Sequence, residues 1–441
     1  MASLWSDSAG LPSFPHLTDN VKTDVLIIGG GMAGLLCAYL LTQAGVDCIL
    51  AEARDIGGGA TKNTTAKITI QHGLIYDKLL RSLGPERAGM YLRANQAALE
   101  QFRELCGHID CEFEEKDAYV YSKNSTDQLL RETEALRRLG APAQFVKALP
   151  LPFPISGAVC LRNQAQFHPL KFLRSIAQGL PIYENSPIID IRGHTAFTDG
   201  GSVTARRMIV ATHFPFLNKH GSYFLKLYQH RSYVLALENA PDVGGMYVDE
   251  QQDGLSFRNS GGLLLLGGGD HRTGRQGGGW KELELFAEQY YPESRIAYRW
   301  SAQDCMSLDG IPYIGQYSAH TPGCFVASGF NKWGMSSSMV AAMILRDRIL
   351  GKENPHAAVF SPSRSILKPQ LAVNAALAVT HLLTPTRPRC PHLGCALKWN
   401  RAEHTWDCPC HGSRFAEDGR LIDNPATGNL KSSVCTPRRR K

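Results

Sequence analysis

The sequence predicts an α/β fold: a Rossmann-like dinucleotide-binding domain with an inserted antiparallel sheet of α+β character, followed by a small C-terminal β domain. An apolar run near the N-terminus ends in a glycine-rich turn and precedes a helix-forming segment, which is the order of a βαβ unit. Residues 223–300 contain several strand-like segments, and four cysteines cluster between residues 390 and 410. These observations indicate a nucleotide-binding body with an appended metal or redox module.

The first element is the βαβ unit of residues 23–54, which contains Gly29-x-Gly31-x-x-Gly34 and, eighteen positions later, Glu52. The first glycine permits a tight turn, the second lets a pyrophosphate approach the backbone, and the third lets the helix pack on the strand. We expect the phosphates at the helix N-terminus and Glu52 at a ribose hydroxyl. A glycine turn without a nucleotide is the alternative, but such a turn does not require strand, helix and acid in this order.

The other segments are assigned in chain order. Residues 1–22 are expected to form an extended N-terminal arm whose aromatic residues pack on the body. Nucleotide-binding segments occupy residues 23–75, 180–215 and 305–355, with substrate or cap portions at 76–179 and 216–304. The alternation over 180–191 and the apolar run at 207–213 predict two strands, the second buried and parallel. A linker helix within 356–389 then leads to the C-terminal domain, residues 390–435.

The composition is that of an ordinary globular protein, with 43% hydrophobic and 20% charged residues in a chain of 441. The net charge of +7 includes a basic tail at residues 438–441, and no domain carries a basic stripe, which argues against nucleic-acid binding. Residues 1–20 lack a secretory signal, and the apolar stretch 371–383 is too short to span a bilayer. A bacterial cytoplasmic location without a transmembrane segment is therefore expected.

Four further motifs follow the glycine motif: Gly-Gly-Ala-Thr at 58–61, Ile-Val-Ala-Thr at 209–212, Asp-Gly-Ile-Pro at 309–312 and Gly-Phe-Asn-Lys-Trp-Gly-Met at 329–335. With them, residues 20–355 resemble the flavin-dependent oxidoreductases of the D-amino-acid oxidase superfamily. The resemblance implies FAD, whereas the βαβ unit alone would equally allow NAD. The FAD contacts that it implies are Gly29, Gly31, Met32, Ala33, Gly34, Glu52, Ala53, Arg54, Gly59, Ala60, Thr61, Thr64, Thr65, Lys67, Ile188, Ala211, Thr212, Gly310, Gly329, Phe330, Lys332, Trp333, Gly334 and Met335.

The catalytic residues are not identified by any motif. The candidates by position are Lys67, His72, Arg231, Tyr233 and Lys332. A helix that begins after Gly334 near the flavin would stabilise the negative charge of reduced flavin, and Lys67 would have the same effect. A surface position is the alternative for Lys67, and a structural role is the alternative for the other candidates.

Two short motifs near the C-terminus, Cys-Pro-His at 390–392 and Cys-Pro-Cys-His at 408–411, are separated by fifteen residues. They resemble Rieske [2Fe–2S] domains, in which two cysteines bind one iron and two histidines bind the other. The ligands that the resemblance implies are Cys390, His392, Cys408 and His411, and it implies a disulfide between Cys395 and Cys410. A structural zinc site is the alternative, since two cysteines and two histidines also suit zinc. A Rieske domain normally has several strands before its first ligand, but here only residues 384–389 lie between the predicted helix and Cys390. The supporting sheet is therefore expected to be truncated and to need cover from the flavoprotein body.

The combination resembles D-amino-acid-oxidase-type flavoproteins with a C-terminal Rieske domain. It implies a dehydrogenase that oxidises a small amine or amino-acid-like substrate at FAD and passes electrons through the [2Fe–2S] centre to an external acceptor, a protein or a quinone. One alternative is an amine oxidase that uses oxygen and needs no cluster. Another is a non-catalytic redox-sensing flavoprotein with a degenerate or zinc-bound C-terminal module. A Rieske oxygenase is disfavoured, because no separate domain supplies a mononuclear-iron triad.

Overall fold

The computed structural model describes residues 2–218, 220–275, 277, 279–385 and 388–431. The strands are β1 (Asn20–Ile28), β2 (Cys48–Ala51), β3 (Lys67–Ile68), β4 (Glu114–Ser122), β5 (Gln144–Val146), β6 (Gly157–Gln166), β7 (Ile182–Tyr183), β8 (Asp190–Arg192), β9 (Thr195–Phe197), β10 (Ser202–Val210), β11 (Leu227–Glu238), β12 (Met246–Asp249), β13 (Ser256–Ser260), β14 (Leu263–Arg272), β15 (Arg295–Ser307), β16 (Tyr313–Gln316), β17 (Cys324–Ser328), β18 (Lys398–Asn400), β19 (Thr405–Asp407), β20 (Arg414–Ala416) and β21 (Leu421–Asp423). The helices are α1 (Leu4–Ser8), α2 (Met32–Gln43), α3 (Tyr76–Cys106), α4 (Asp127–Arg138), α5 (Pro169–Ile176), α6 (Tyr223–Lys226), α7 (Gly279–Tyr290), α8 (Gly334–Ile349), α9 (Ala357–Phe360) and α10 (Pro369–Leu383), with a 3-10 turn at Ala60–Asn63. The predicted domain end at residue 435 and the basic tail at 438–441 lie outside the described residues.

The nucleotide-binding body is built on a sheet with the strand order β16-β17-β10-β1-β2-β7. Strands β10, β1, β2 and β7 run parallel, β17 is parallel to β10, and β16 is antiparallel at the edge. The central strands are apolar on both faces because helices α2 and α8 cover one face and a second apolar cluster covers the other. The predicted βαβ unit and the buried parallel strand are therefore confirmed.

The second sheet has nine strands in the order β15-β11-β14-β13-β12-β4-β6-β3, with β5 paired to β6. All pairs are antiparallel except β4 with β12, which is parallel. Strands from both predicted cap portions join this one sheet, so the two portions form a single layer rather than separate units. Its two longest strands, β11 and β15, lie next to each other, and β14 pairs with the other edge of β11.

Two segments differ from the sequence-based expectation. Residues 1–22 are not wholly extended: Ser3 caps the short helix α1, and the indole of Trp5 is buried and donates to Thr64 O (2.7 Å). The strand expected over 180–191 is divided into β7 and β8. Asn185 adopts a left-handed conformation (φ 50°) that ends the first piece, and the Glu184 side chain is held by backbone N–H groups of the arm and the loop.

The C-terminal domain is a four-stranded antiparallel sheet, β18-β19-β20-β21. Within the described residues 361–385 and 388–397, one isolated bridge, between Arg389 and Ala396, precedes the first strand. All four strands are three residues long, and they follow the first cluster motif rather than preceding it. The domain has its own small apolar cluster. No helix among the described residues is long and apolar enough to cross a membrane.

Candidate active site and metal centre

The glycine turn after β1 leaves a cradle for an anion at the carboxyl edge of the parallel sheet. A Cβ on Gly29 (φ 111°) would lie 2.7 Å from Ala211 O, and a Cβ on Gly34 would lie 1.8 Å from Gly29 O. Both glycines are therefore required by the fold itself. A Cβ on Gly31 would meet only Thr61 Oγ1, at 3.5 Å, so the space above this residue is open. This is the position at which a pyrophosphate approaches the backbone.

The N-terminus of α2 faces the same cradle. Gly31 is its N-cap and provides no side-chain cap, and the Met32 N–H donates to Thr61 Oγ1 (3.0 Å). Glu52 accepts hydrogen bonds from the N–H groups of Gly30 (2.6 Å) and Arg54 (2.9 Å). Burial raises the pKa of Glu52, and these two hydrogen bonds oppose the rise. The helix N-terminus beneath the open space at Gly31 and the adjacent carboxylate fit the diphosphate and ribose of a dinucleotide.

Gly31 and Gly34 lead to a matched pair of predictions. Gly31→Ala is expected to fold normally, because the new methyl group makes only an ordinary contact, but it should weaken FAD binding roughly tenfold to 100-fold by obstructing backbone hydrogen bonds to the phosphates. Gly34→Ala should fail to fold, because its Cβ collides with backbone. Thermal unfolding and FAD titration of the deflavinated protein measure both effects. Unchanged FAD affinity in Gly31→Ala would contradict the assigned phosphate position.

A cavity of about 520 Å³ lies between the nucleotide-binding body and the nine-stranded sheet. The structure brings together here the predicted FAD contacts Thr64, Thr65, Lys67, Gly310, Lys332, Trp333, Gly334 and Met335. Helix α8 begins at Gly334 with an uncapped N-terminus on the cavity wall, so its dipole favours negative charge there. Of the other predicted contacts, Ala211 lies at the glycine turn and Ile188 is buried beside the nucleotide-binding sheet.

Two lysines of the candidate set line this cavity. Lys67 Nζ donates to Thr65 Oγ1 (3.2 Å), and burial, with the charge of Arg258 as a smaller cause, lowers the pKa of Lys67 to about 7. Lys332 Nζ forms an ion pair with Asp270 (2.7 Å). Burial raises the pKa of Asp270 to about 7, against the effect of the Lys332 charge.

His72 also borders the cavity, but its ring is fully engaged by the protein. Its Nδ1 lies 2.6 Å from the hydroxyl of Tyr91, its Nε2 lies 2.8 Å from Ser336 Oγ, and the ring stacks on Trp333 at 5.0 Å between centroids. Burial lowers the pKa of His72 to about 3, although a hydrogen bond to the Thr69 backbone opposes this. A neutral imidazole with these partners orients Trp333 and the start of α8.

The sequence-based candidates omitted the acidic side of the cavity. Four carboxyl groups line it: those of Asp249, Glu250, Asp270 and Asp304. Asp249 ends β12 and Glu250 follows it, whereas Asp270 lies on β14 and Asp304 on β15. No local motif marks them, so their convergence depends on the order of the strands from β15 to β12 in the sheet. The alternation of side chains along a strand shows which residues share a face of the sheet, but it does not show which of the two faces lines the cavity.

Strands β11 and β15 separate the cavity from the C-terminal domain. The residues of these strands that line the cavity include Tyr228, Ser232, Val234, Ala302, Asp304 and Met306. Intervening residues point to the opposite face, because side chains alternate along a strand. There Gln229 Nε2 donates to His411 O (2.8 Å) and Gln303 Nε2 donates to Gly412 O (2.8 Å). One layer of sheet thus has the cavity on one face and the second cluster loop on the other.

A buried ion-pair network holds the same two parts together. Glu403 of the C-terminal domain pairs with Arg231 and with Arg414 (2.6 Å) and accepts from Ser301 Oγ (2.7 Å) and the Tyr233 hydroxyl (3.2 Å). The structure therefore places the Arg231 side chain in this interface, not in the cavity lining. Tyr233 contributes to the cavity lining, while its hydroxyl reaches the interface.

The two cluster loops have the same backbone closure. In each loop the leading cysteine N–H donates to the carbonyl five residues later, Cys390 to Cys395 and Cys408 to Ser413, both at 2.9 Å. A glycine four residues after the cysteine returns a hydrogen bond to it at 2.9 Å, and both of these glycines, Gly394 and Gly412, have φ near +80°. Each loop thereby directs its cysteine and histidine to one shared space.

The side chains in that space fit a Rieske cluster. Cys390 and Cys408 are buried with their thiols in contact, and the rings of His392 and His411 are 4.9 Å apart. The Nδ1 atoms of both histidines are buried and have no hydrogen-bond partner among the described residues, as expected of metal-ligand atoms. The outer Nε2 of His392 is held by Asn218 Oδ1 (2.8 Å) of the flavoprotein body.

Cys395 and Cys410 form a disulfide that links the two loops. Among the described residues, the sulfur atoms of these two and of Cys408 lie within 4.8 Å of one another. Because disulfide sulfurs are not thiolate ligands, this group is not a metal site in itself. Two cysteine thiols and two imidazoles remain as the donor set, which matches the four ligands that the sequence predicts.

Comparisons with known proteins agree with this geometry. The FAD dependent oxidoreductase family model matches residues 24–348, and the Rieske [2Fe-2S] domain model matches residues 371–433. A protein of Bacillus subtilis (strain 168), YhfW, whose name assigns it to the Rieske 2Fe-2S iron-sulfur proteins, is 37% identical over 97% of this chain and 96% of its own length. The gamma-glutamylputrescine oxidoreductase of Escherichia coli (strain K12) is 25% identical over 45% of this chain and 50% of its own.

Solved structures share the fold of the larger part. Glycine oxidase from Geobacillus kaustophilus aligns with a TM-score of 0.66 at 22% identity, covering 78% of this chain and 99% of that one. L-Proline dehydrogenase from P. horikoshii aligns with a TM-score of 0.65 at 15% identity, covering 80% and 98%. The chain therefore belongs to the FAD dependent oxidoreductase family, as an enzyme that binds FAD and holds a Rieske [2Fe–2S] cluster in its C-terminal domain.

Proposed function

We propose that the protein is a dehydrogenase that oxidises a small amine or amino-acid-like substrate in the cavity and delivers the electrons through the [2Fe–2S] centre to an external acceptor. The observation that carries this proposal is the shared sheet layer, with the cavity on one face and the second cluster loop on the other. Layers packed on a sheet are separated by about 10 Å, so a flavin bound in the cavity would be a close neighbour of the cluster. An oxidase that reduces oxygen directly has no need of such an arrangement.

The cavity wall supports an amine as the substrate. Bound FAD supplies the two-electron oxidation of a C–H bond beside nitrogen. Asp304 accepts from Ser232 Oγ (3.3 Å) and has no cationic partner among the described residues, so its carboxylate can attract a protonated amine. Nearby arginines are engaged elsewhere: Arg258 donates to backbone carbonyls, and Arg231 pairs with Glu403.

The experiment is anaerobic stopped-flow reduction of the full-length holoprotein with a panel of primary, secondary and α-carboxylated amines. The expected result is bleaching of the flavin absorbance, followed by the EPR signal of a reduced [2Fe–2S] cluster in the same sample. Reduction of flavin without the cluster, with rapid reoxidation by oxygen, would support an oxidase instead. Failure of every amine to reduce the flavin would contradict the substrate class.

Lys67 gives this proposal a pH-dependent readout. Its protonated form should stabilise reduced, anionic flavin by about 1–3 kcal/mol, which is about 20–60 mV for a two-electron couple. Since the pKa of Lys67 is lowered to about 7, this charge is present below pH 7 and is lost as the pH rises through it. The flavin potential of Lys67→Met should therefore lie below that of the wild type at pH 6 and converge with it above pH 8. Spectroelectrochemical titration tests this, and a difference that does not vary with pH would exclude the role.

A further inference from the structure

Helix α10, beside the first cluster loop, exposes apolar side chains on its outward face. Val373 (47%), Val379 (55%), Leu382 (44%) and Leu383 (77%) are largely accessible to solvent, and the helix contains no acidic, lysine or arginine residue. Two neighbouring leucines continue the surface: Leu367 is 82% exposed and Leu393 is 40% exposed. We refer to these six residues together as the α10 face.

Helix α10 combines a buried polar residue with several exposed apolar ones, which is unusual for a helix on a water-exposed surface. Its buried residue is Asn374, whose Oδ1 accepts from Arg272 Nη1 (2.8 Å) and from Gln370 Nε2 (3.0 Å). Gln370 and Asn374 therefore face the protein, as does Ala378, which packs on the apolar cluster of the C-terminal domain. Four of the six valine and leucine side chains of the helix are exposed. Since a surface helix normally buries its apolar stripe, another apolar phase is expected to cover the α10 face.

The charge around the α10 face selects what covers it. No aspartate or glutamate occurs in the sequence between Glu353 and Glu403. Lys368 is the N-cap of the helix, Arg389 binds carbonyls at its C-terminal end, and the charge of Lys398 acts on His381 in its last turn. A second copy of the chain would bring two positively charged surfaces together. Apolar residues edged by basic ones suit instead a bilayer with anionic headgroups. At 1.5 Å per residue, α10 is about 22 Å long, so it would lie on a bilayer rather than span it.

The α10 face is fixed to the cluster loop. Arg389 donates to Leu382 O (3.2 Å) and Thr384 O (2.6 Å) at the end of the helix, and to Gly394 O (2.7 Å) in the loop. The Ala396 N–H donates to a carbonyl in the last turn of α10 (2.9 Å). A surface that receives α10 would therefore also receive the loop that carries two of the cluster ligands.

We propose that the α10 face docks the protein on the surface of an anionic phospholipid bilayer, with the first cluster loop at the lipid headgroups. This goes beyond the proposed function and does not depend on it, because binding to lipid requires no turnover. It would bring the [2Fe–2S] centre within reach of acceptors that are dissolved in the membrane.

The test is sedimentation of the full-length holoprotein with vesicles of phosphatidylglycerol and phosphatidylcholine. We expect the binding to weaken as the salt concentration rises. Each basic residue near an anionic surface contributes roughly a fivefold factor to the binding constant, and salt screens this contribution. The double variant Val379→Asp/Leu383→Asp should bind at least about tenfold more weakly. The matched control Leu130→Asp/Leu285→Asp changes two leucines of similar exposure, 49% and 52%, on α4 and α7, and should bind like the wild type.

Three results would overturn the proposal. One is absence of wild-type binding at low salt, and another is equal loss of binding in the control variant. The third is a concentration-dependent dimer that the Val379→Asp/Leu383→Asp variant abolishes, because a second copy would then cover the α10 face. Flavin and iron contents of each variant show that the fold is kept, and the salt dependence of the wild type tests the proposal without any substitution.

Discussion

Cys408→Ala is expected to remove the [2Fe–2S] centre while FAD stays bound and reducible. Cys408 is fully buried at the centre of the second loop, and its thiol is in contact with that of Cys390. An iron pair that loses one of two thiolates cannot be held by the remaining donors. The cavity that lines the other face of the sheet is built from other segments. Iron content should fall to none, and delivery of electrons to an artificial one-electron acceptor should fall by at least roughly 100-fold.

The matched control is Cys160→Ala on β6, a free and buried cysteine far along the chain from both cluster loops. It should keep its iron, its EPR signal and its acceptor reduction. Metal analysis of the wild type provides the iron content against which both variants are compared. If Cys408→Ala still reduced the acceptor at the wild-type rate, electrons would leave the flavin directly and the cluster would have another role.

Glu403→Gln is expected to loosen the C-terminal domain from the sheet. Removing this carboxylate leaves the guanidinium groups of Arg231 and Arg414, which are 2% and 5% exposed, without a shared partner. Breaking a buried ion pair on one side costs about 3–5 kcal/mol. In denaturant, the visible circular dichroism of the cluster should be lost well before the flavin signal, whereas the wild type should lose both at higher concentrations. Glu417→Gln, an exposed acid of the same domain, is the control and should be neutral.

The stabilisation by the ion pairs of Glu403 with Arg231 and Arg414 is expected to depend on pH. Burial works against ionisation of Glu403, but Arg231 and Arg414 prevail and lower its pKa from 4.5 to about 2. A group with a lowered pKa in the folded state stabilises fully above its unfolded value and loses this contribution as the pH falls toward the folded value. The stability difference between wild type and Glu403→Gln should therefore shrink between about pH 4.5 and pH 2. A difference that stayed constant across this window would mean that Glu403 acts by packing alone.

Local motifs in the sequence predicted the parts of the fold and sites that depend on neighbouring residues. The glycine turn, the carboxylate after β2 and the two cluster loops each contain their own turn chemistry, so their form follows from a few residues. Arg231 illustrates the limit: its partner Glu403 is 172 positions away, and no spacing rule connects them. The acid Asp304 has the same limitation, because its role depends on which face of β15 the cavity occupies.

Two predictions, the extended N-terminal arm and the single strand over 180–191, were wrong in part because local interactions override the sequence pattern. Ser3 caps a short helix in the arm because its side chain accepts from Ser6 N, a contact that outweighs the extended tendency of the surrounding residues. Asn185 divides the strand expected over 180–191, since a left-handed residue cannot continue a ladder. Because of this break, the predicted FAD contact Ile188 lies between β7 and β8 rather than on a strand.

The register of β11 determines both which side chains line the cavity and which contact the C-terminal domain. Side chains alternate along this strand, so Ser232 faces the cavity while Gln229 and Arg231 face the C-terminal domain. Inserting or deleting one residue within the strand would exchange the two sets, sending an arginine into the cavity and a serine to the buried Glu403. The strand is therefore expected to accept changes of side chain far more readily than changes of length, because a single slip would disable substrate oxidation and cluster docking together.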